Sequence, residues 1–264
     1  MSIPTEPKTS PERAAWRRLD ERAASEAYAD RQLSRWGGLA GIAGVGLMLG
    51  AVGVVVGFGL PDAADAETLT DFADIETGRI LEHLCYLGAV IMFALHTLVL
   101  GRLLRRAHPA AALFGTAVAT FGFVVMAAGA VLHVSTRPLA ELYTSPDTPA
   151  GDLVSIEHAW YGAQSVFDTM LLTGVLLVPI GIVLLGVAML NAPAFGRRLA
   201  WMSVVLGAVG MLGAAAEIVD STLEFSALSV GAMVVFHLVT GLRTLTVGRN
   251  GRIAAHDGPA VATD

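Results

Sequence analysis

Residues 80–106 read ILEHLCYLGAVIMFALHTLVLGRLLRR, and the kind of protein is decided within them. The run 80–101 is almost wholly apolar, with Glu82 and His83 at its start, and Arg102, Arg105 and Arg106 follow directly. At about 1.5 Å per helical residue, such a run crosses a hydrocarbon core of about 30 Å. Five more runs share its character, over 37–60, 110–134, 164–190, 200–218 and 225–247. Arginine precedes the first run (Arg13, Arg17, Arg18, Arg22, Arg31, Arg35) and follows the second, the fourth (Arg197, Arg198) and the sixth (Arg249, Arg252). Cytoplasmic loops retain such residues, so every second gap and both termini are expected inside.

The expected fold is therefore all-α: a polytopic, multi-pass protein of the plasma membrane with six transmembrane helices, and the lipid bilayer as its main partner. Three parts are expected: a cytoplasmic segment 1–36, a transmembrane domain 37–247 and a disordered cytoplasmic tail 248–264. Within the first part, 1–9 is expected to be disordered. Ser10-Pro11-Glu12 then supplies an N-cap, a helix-opening proline and an early acid. An amphipathic helix should follow over 11–36 and lie on the inner leaflet, with Trp36 at the interface. The first run begins late and is too long for a cleavable signal, so it reads as an anchor.

Composition agrees. Hydrophobic residues make up 54% of the chain and charged residues 15%, which sets a water-soluble domain aside. The net charge of -6 separates by side of the membrane, with acids gathered in the outer loops. No basic face interleaved with aromatics exists, so nucleic acid is not an expected partner. Cys85 is the single cysteine and cannot form an intrachain disulfide. Lys8 is the only lysine and precedes every span, which removes a retinal-type Schiff base. P-loop, GxSxG and S4-like arginine patterns are missing, so no catalytic residue and no cofactor is assigned.

Two spans carry packing signals. Gly46, Gly50, Gly53 and Gly57 share one face of the first and offer a close approach to another span or to a second copy of the chain. Pro179 interrupts the hydrogen bonding of the fourth and should free a carbonyl that another helix must satisfy. A weak internal similarity also pairs Leu98-Val99-Leu100-Gly101 and Pro109 with Val183-Leu184-Leu185-Gly186 and Pro193, as in a duplicated helical hairpin.

Ionisable groups at membrane depth point to function, because burying one in lipid costs about 2.5–3.5 kcal/mol even on lenient scales. Arg79, Glu82, His83 and Tyr86 share a face at the outer end of the second span. His133, Asp168, Glu217 and Asp220 sit at the outer ends of the third, fourth and fifth. If the fourth helix starts early, near Leu153, then His158, Tyr161, Ser165 and Asp168 share an arc. These groups suggest an outward-facing polar pocket for a small ligand or cation; an interfacial ring of ion pairs is the ordinary alternative. A small-solute transporter is a second reading. A haem or metal redox protein is a third, since His83 and His133 lie in one tier and His96 and His237 in a deeper one. Against haem, thirteen residues separate His83 from His96 and turn them to different faces.

Phe167-Asp168 leading into Leu172-Thr173-Gly174, then Leu184-Leu185-Gly186, Pro193 and Phe195-Gly196, resembles an uncharacterised prokaryotic six-helix membrane family of unknown function, DUF4386. Ala192-Pro193-Ala194 stands where that family's pattern has an Ile-Pro-type dipeptide. The resemblance spans 37–247 and implies a six-helix bundle; it brings no activity and no site residues.

Overall fold

The computed structural model describes residues 10–60, 66–220 and 225–256, so the 1–9 and 257–264 portions of the expected disordered ends lie outside the described residues. Every described element is an α-helix: α1 (Ser10–Phe58), α2 (Ala66–Thr70), α3 (Phe72–Leu104), α4 (Pro109–Val134), α5 (Arg137–Thr144), α6 (Ala150–Leu190), α7 (Arg197–Val219) and α8 (Ser226–His256). Six of them, α1, α3, α4, α6, α7 and α8, are long and apolar enough to cross a membrane. The chain is a multi-pass membrane protein.

The spans pack in chain order. Helix α1 lies along α3, α3 against α4, α4 along α6, α6 along α7 and α7 against α8, and α8 returns to α1 to close the ring. Phe93, Phe123, Val178, Ile182, Leu185 and Phe236 fill its interior. Outward-facing Leu113, Phe121 and Leu212 are each at least 60% exposed, as expected where lipid is the solvent.

Because lipid provides little hydrophobic drive between helices, close contact must come from small residues. Helices α4 and α6 show this best: a Cβ on Gly181 would stand 2.6 Å from the carbonyl oxygen of Gly115. The glycines expected to form a seam are placed differently. Gly46, Gly53 and Gly57 are exposed, and a Cβ on any of them would meet nothing within 4 Å. Helix α1 instead approaches its neighbours through Gly37, Gly38, Gly41 and Gly44, nearer the amino terminus.

No break separates 11–36 from the first span; both belong to the single helix α1. Its amino-terminal part is tied to the end of α3 by Arg102–Asp30 (3.2 Å) and Arg106–Glu26 (2.9 Å). At the opposite end, Leu69 of α2, Ala140 of α5 and Trp160 of α6 form a second small core over the α3 and α4 termini. The early start of α6 makes this possible, since residues 150–163 extend it beyond the expected span.

Pro179 lies within α6 and is buried. The carbonyl it orphans is that of Val175, four residues earlier, and Ser229 Oγ of α8 donates to this oxygen at 2.5 Å.

Candidate functional site

Near the amino-terminal end of α3, Arg79, Glu82 and His83 form a local network. Arg79 Nη1 pairs with Glu82 Oε2 at 3.1 Å, and His83 Nδ1 lies 2.8 Å from the Arg79 carbonyl. A carbonyl only accepts, so His83 Nδ1 carries the hydrogen and its Nε2 faces away from the helix backbone. The ring stacks on His133 of α4, with centroids 4.5 Å apart and planes 8° from parallel. Both imidazoles are at least nine-tenths buried.

Helix α6 completes the surroundings of His133. Phe167 approaches to 4.8 Å between ring centroids and Trp160 to 6.5 Å. Gln164 falls between them on the same face, 2% exposed, with both amide atoms buried and without a hydrogen-bond partner among the described residues. One turn inward from His83, the Tyr86 hydroxyl is also buried without such a partner.

Helix α5 forms a roof. Its first residue, Arg137, reaches Glu76 of α3 at 2.8 Å and Glu141 of its own helix at 2.8 Å. Beneath it is a small cleft of about 30 Å³, room for one or two waters or a monatomic ion, lined by Phe72, Arg79, Ile80, His83, His133, Val134, Thr136 and Arg137.

The structure therefore brings Arg79, Glu82, His83 and His133 together, with Tyr86 one turn below, and leaves the other expected residues elsewhere. His158 and Asp168 are on exposed faces of α6 and do not line the cleft. Glu217 accepts a hydrogen bond from the Ser226 backbone N–H and thereby joins the end of α7 to the start of α8. Asp220 is the exposed C-cap of α7. Depth alone joined Asp168, Glu217 and Asp220 to the face of Arg79, Glu82, His83 and Tyr86; helix rotation separates them.

Thr136, Arg137, Trp160, Gln164 and Phe167 are the neighbours that sequence reasoning missed. Two signals for them exist. Arg137 is an arginine in a gap where the alternation along the chain expects none. Trp160, Gln164 and Phe167 follow the four- and three-residue spacing of one helical face, but begin before the apolar run from which the span was read.

The histidine tiers exist as contacts. In the deeper one, His96 Nδ1 and His237 Nδ1 are 2.8 Å apart. Neither tier fits a haem. An iron held between two imidazoles keeps their ligating nitrogens about 4 Å apart with the macrocycle between them. The rings of His96 and His237 bond directly, and those of His83 and His133 lie face to face. Among the described residues no group of three or more histidine, cysteine or acidic side chains is arranged to hold a metal ion.

A family model described as a domain of unknown function (DUF4386) matches residues 42–248, nearly the whole of the six-helix ring. The chain belongs to the DUF4386 family. No curated protein and no solved structure matches it. The DUF4386 match begins within α1 and ends within α8, so it contains both histidine tiers and the α5 roof.

Proposed function

We propose that this DUF4386 protein is a non-enzymatic protein of the plasma membrane, with both termini cytoplasmic, that binds a small anion in the outward-facing cleft beneath α5. The alternation of arginines along the chain supports the orientation. One observation carries the ligand class: the residues that line the cleft include Arg79, Arg137, His83, His133 and Thr136, and no aspartate or glutamate. Glu82 pairs with Arg79, and Glu76 and Glu141 pair with Arg137, which fixes the orientation of both forks. A volume of about 30 Å³ suits an occupant of halide size. This favours an anion over the cation that the carboxylates first suggested.

Trp160, the buried neighbour of His133, supplies the probe. In a variant with Trp16, Trp36 and Trp201 changed to Phe, bromide should quench its fluorescence saturably, and chloride should compete. Arg79→Met should remove the saturable component. Quenching that stays linear with bromide and is unaltered by Arg79→Met rules the anion site out.

A further inference from the structure

The outer cleft leaves the deeper histidine pair unexplained. His96 of α3 and His237 of α8 are fully buried. Their Nδ1···Nδ1 bond at 2.8 Å has room for one hydrogen, so one ring donates and the other offers its lone pair. Two neutral rings in this arrangement are opposite tautomers. The donor ring has a bare Nε2, and the acceptor ring carries its hydrogen on Nε2. Both Nε2 atoms are buried and have no hydrogen-bond partner among the described residues. The pair thus ends in one open acceptor and one open donor.

Its surroundings are asymmetric. Phe93 stacks on His237 at 4.2 Å, with Phe236 at 5.1 Å and Phe123 at 5.7 Å between ring centroids. Thr97 of α3, Thr240 and Thr244 of α8 and Ser34 of α1, all at most 1% exposed, supply hydroxyls in the other direction along these helices. Thr240 and Thr244 donate to the carbonyls of Phe236 and Thr240, which leaves their oxygen lone pairs available. Directly beside the rings α1 presents the backbone of Gly41, where a Cβ would be 2.6 Å from His96 Nδ1. No charged side chain among the described residues faces the pair from α1, α3, α4 or α8. Arg102 and Arg243 are six residues along their helices, about 9 Å, and Tyr86 is ten residues toward the outer cleft, about 15 Å.

We propose that His96 and His237 are a proton-relay element in the bundle interior, exchanging protons through intervening water with the hydroxyls that line α1, α3 and α8. A proton arriving at the bare Nε2 lets the shared hydrogen cross from one Nδ1 to the other, and the second ring releases its Nε2 hydrogen. One proton enters and one leaves, only N–H bonds change, and both tautomers invert. A clamp between α3 and α8 does not need these groups: a phenylalanine pair would join the helices without leaving two polar nitrogens unpaired in an apolar interior, where each costs stability.

The test uses the full chain in proteoliposomes loaded with a pH-sensitive dye, under an imposed pH gradient with potassium and valinomycin holding the potential. The wild type should dissipate the gradient, and His96→Phe and His237→Gln should each slow it by about a hundredfold or more. His237→Gln keeps a hydrogen-bonding amide opposite His96, so a folded variant that no longer conducts separates a relay from a clamp. Absence of wild-type flux, or flux retained in folded His237→Gln, overturns the proposal. Nitrogen-15 NMR of histidine-labelled wild type guards against misfolded variants: the two rings should be opposite tautomers, and identical tautomers overturn it equally.

Discussion

Ser229 Oγ of α8 donates a 2.5 Å hydrogen bond to the carbonyl oxygen of Val175 in α6, the oxygen that Pro179 deprives of its helical donor. Ser229→Ala should therefore leave a buried carbonyl unsatisfied and cost about 1–3 kcal/mol. Unfolding in detergent by denaturant titration measures it. In a Pro179→Ala background the backbone N–H returns, and Ser229→Ala should cost less; a coupling of about 0.5 kcal/mol or more between the two changes is expected. Strict additivity would show that the serine serves another purpose.

His83→Phe should separate stacking from hydrogen bonding in the outer site. A phenyl ring can keep the face-to-face contact with His133 while losing the Nδ1–H donated to the Arg79 carbonyl. A stability loss of about 1 kcal/mol is expected, together with loss of saturable bromide quenching at Trp160. Quenching that survives unchanged would remove His83 from the ligand's surroundings.

Arg137 ties the roof helix α5 to Glu76 of α3, with both side chains partly exposed. Solvent-exposed pairs contribute little, so Arg137→Ala should lower global stability by no more than about 1 kcal/mol. Hydrogen exchange across 137–144 should nevertheless accelerate, while exchange in the middle of α4 and α6 stays unchanged. Uniform acceleration through the bundle would contradict a local roof.

Two glycines should respond oppositely to alanine. At Gly181 a methyl group would meet the Gly115 carbonyl oxygen at 2.6 Å, and forcing α4 and α6 apart should cost about 1–3 kcal/mol. At Gly53 a Cβ meets nothing within 4 Å, and Gly53→Ala should be neutral or stabilising by up to about 1 kcal/mol, since alanine is the better helix former. Thermal unfolding of the two variants in one detergent compares them. Marked destabilisation at Gly53 would show that its face is covered in the assembled protein.

Much of the fold was legible because apolar length is a local property. Each of the six runs is matched by one long helix, though α1 and α6 start well before theirs, and Pro179 alone announced that some carbonyl in the fourth span would need an outside donor. Which donor was beyond reach: Ser229 lies 54 residues away from Val175 and looks like any other serine near a span end. The candidate site was half legible for the same reason. The local spacing of Arg79, Glu82 and His83 placed them on one face, whereas Asp168, Glu217 and Asp220 shared only their depth with that group. Depth can be counted from a loop, but azimuth relative to other helices depends on how the bundle packs.

By itself, the sequence determined that this chain forms six lipid-crossing helices and where its ionisable groups fall along them. Hydrophobic length and charge are set residue by residue, and the bilayer acts on each helix separately. Only the tertiary structure decided that the helices close into a ring in chain order, that His83 meets His133, and that His96 meets His237 across 141 positions of sequence. Those pairings follow from which small residues let two backbones approach, a property of two surfaces together that neither strand of sequence carries alone.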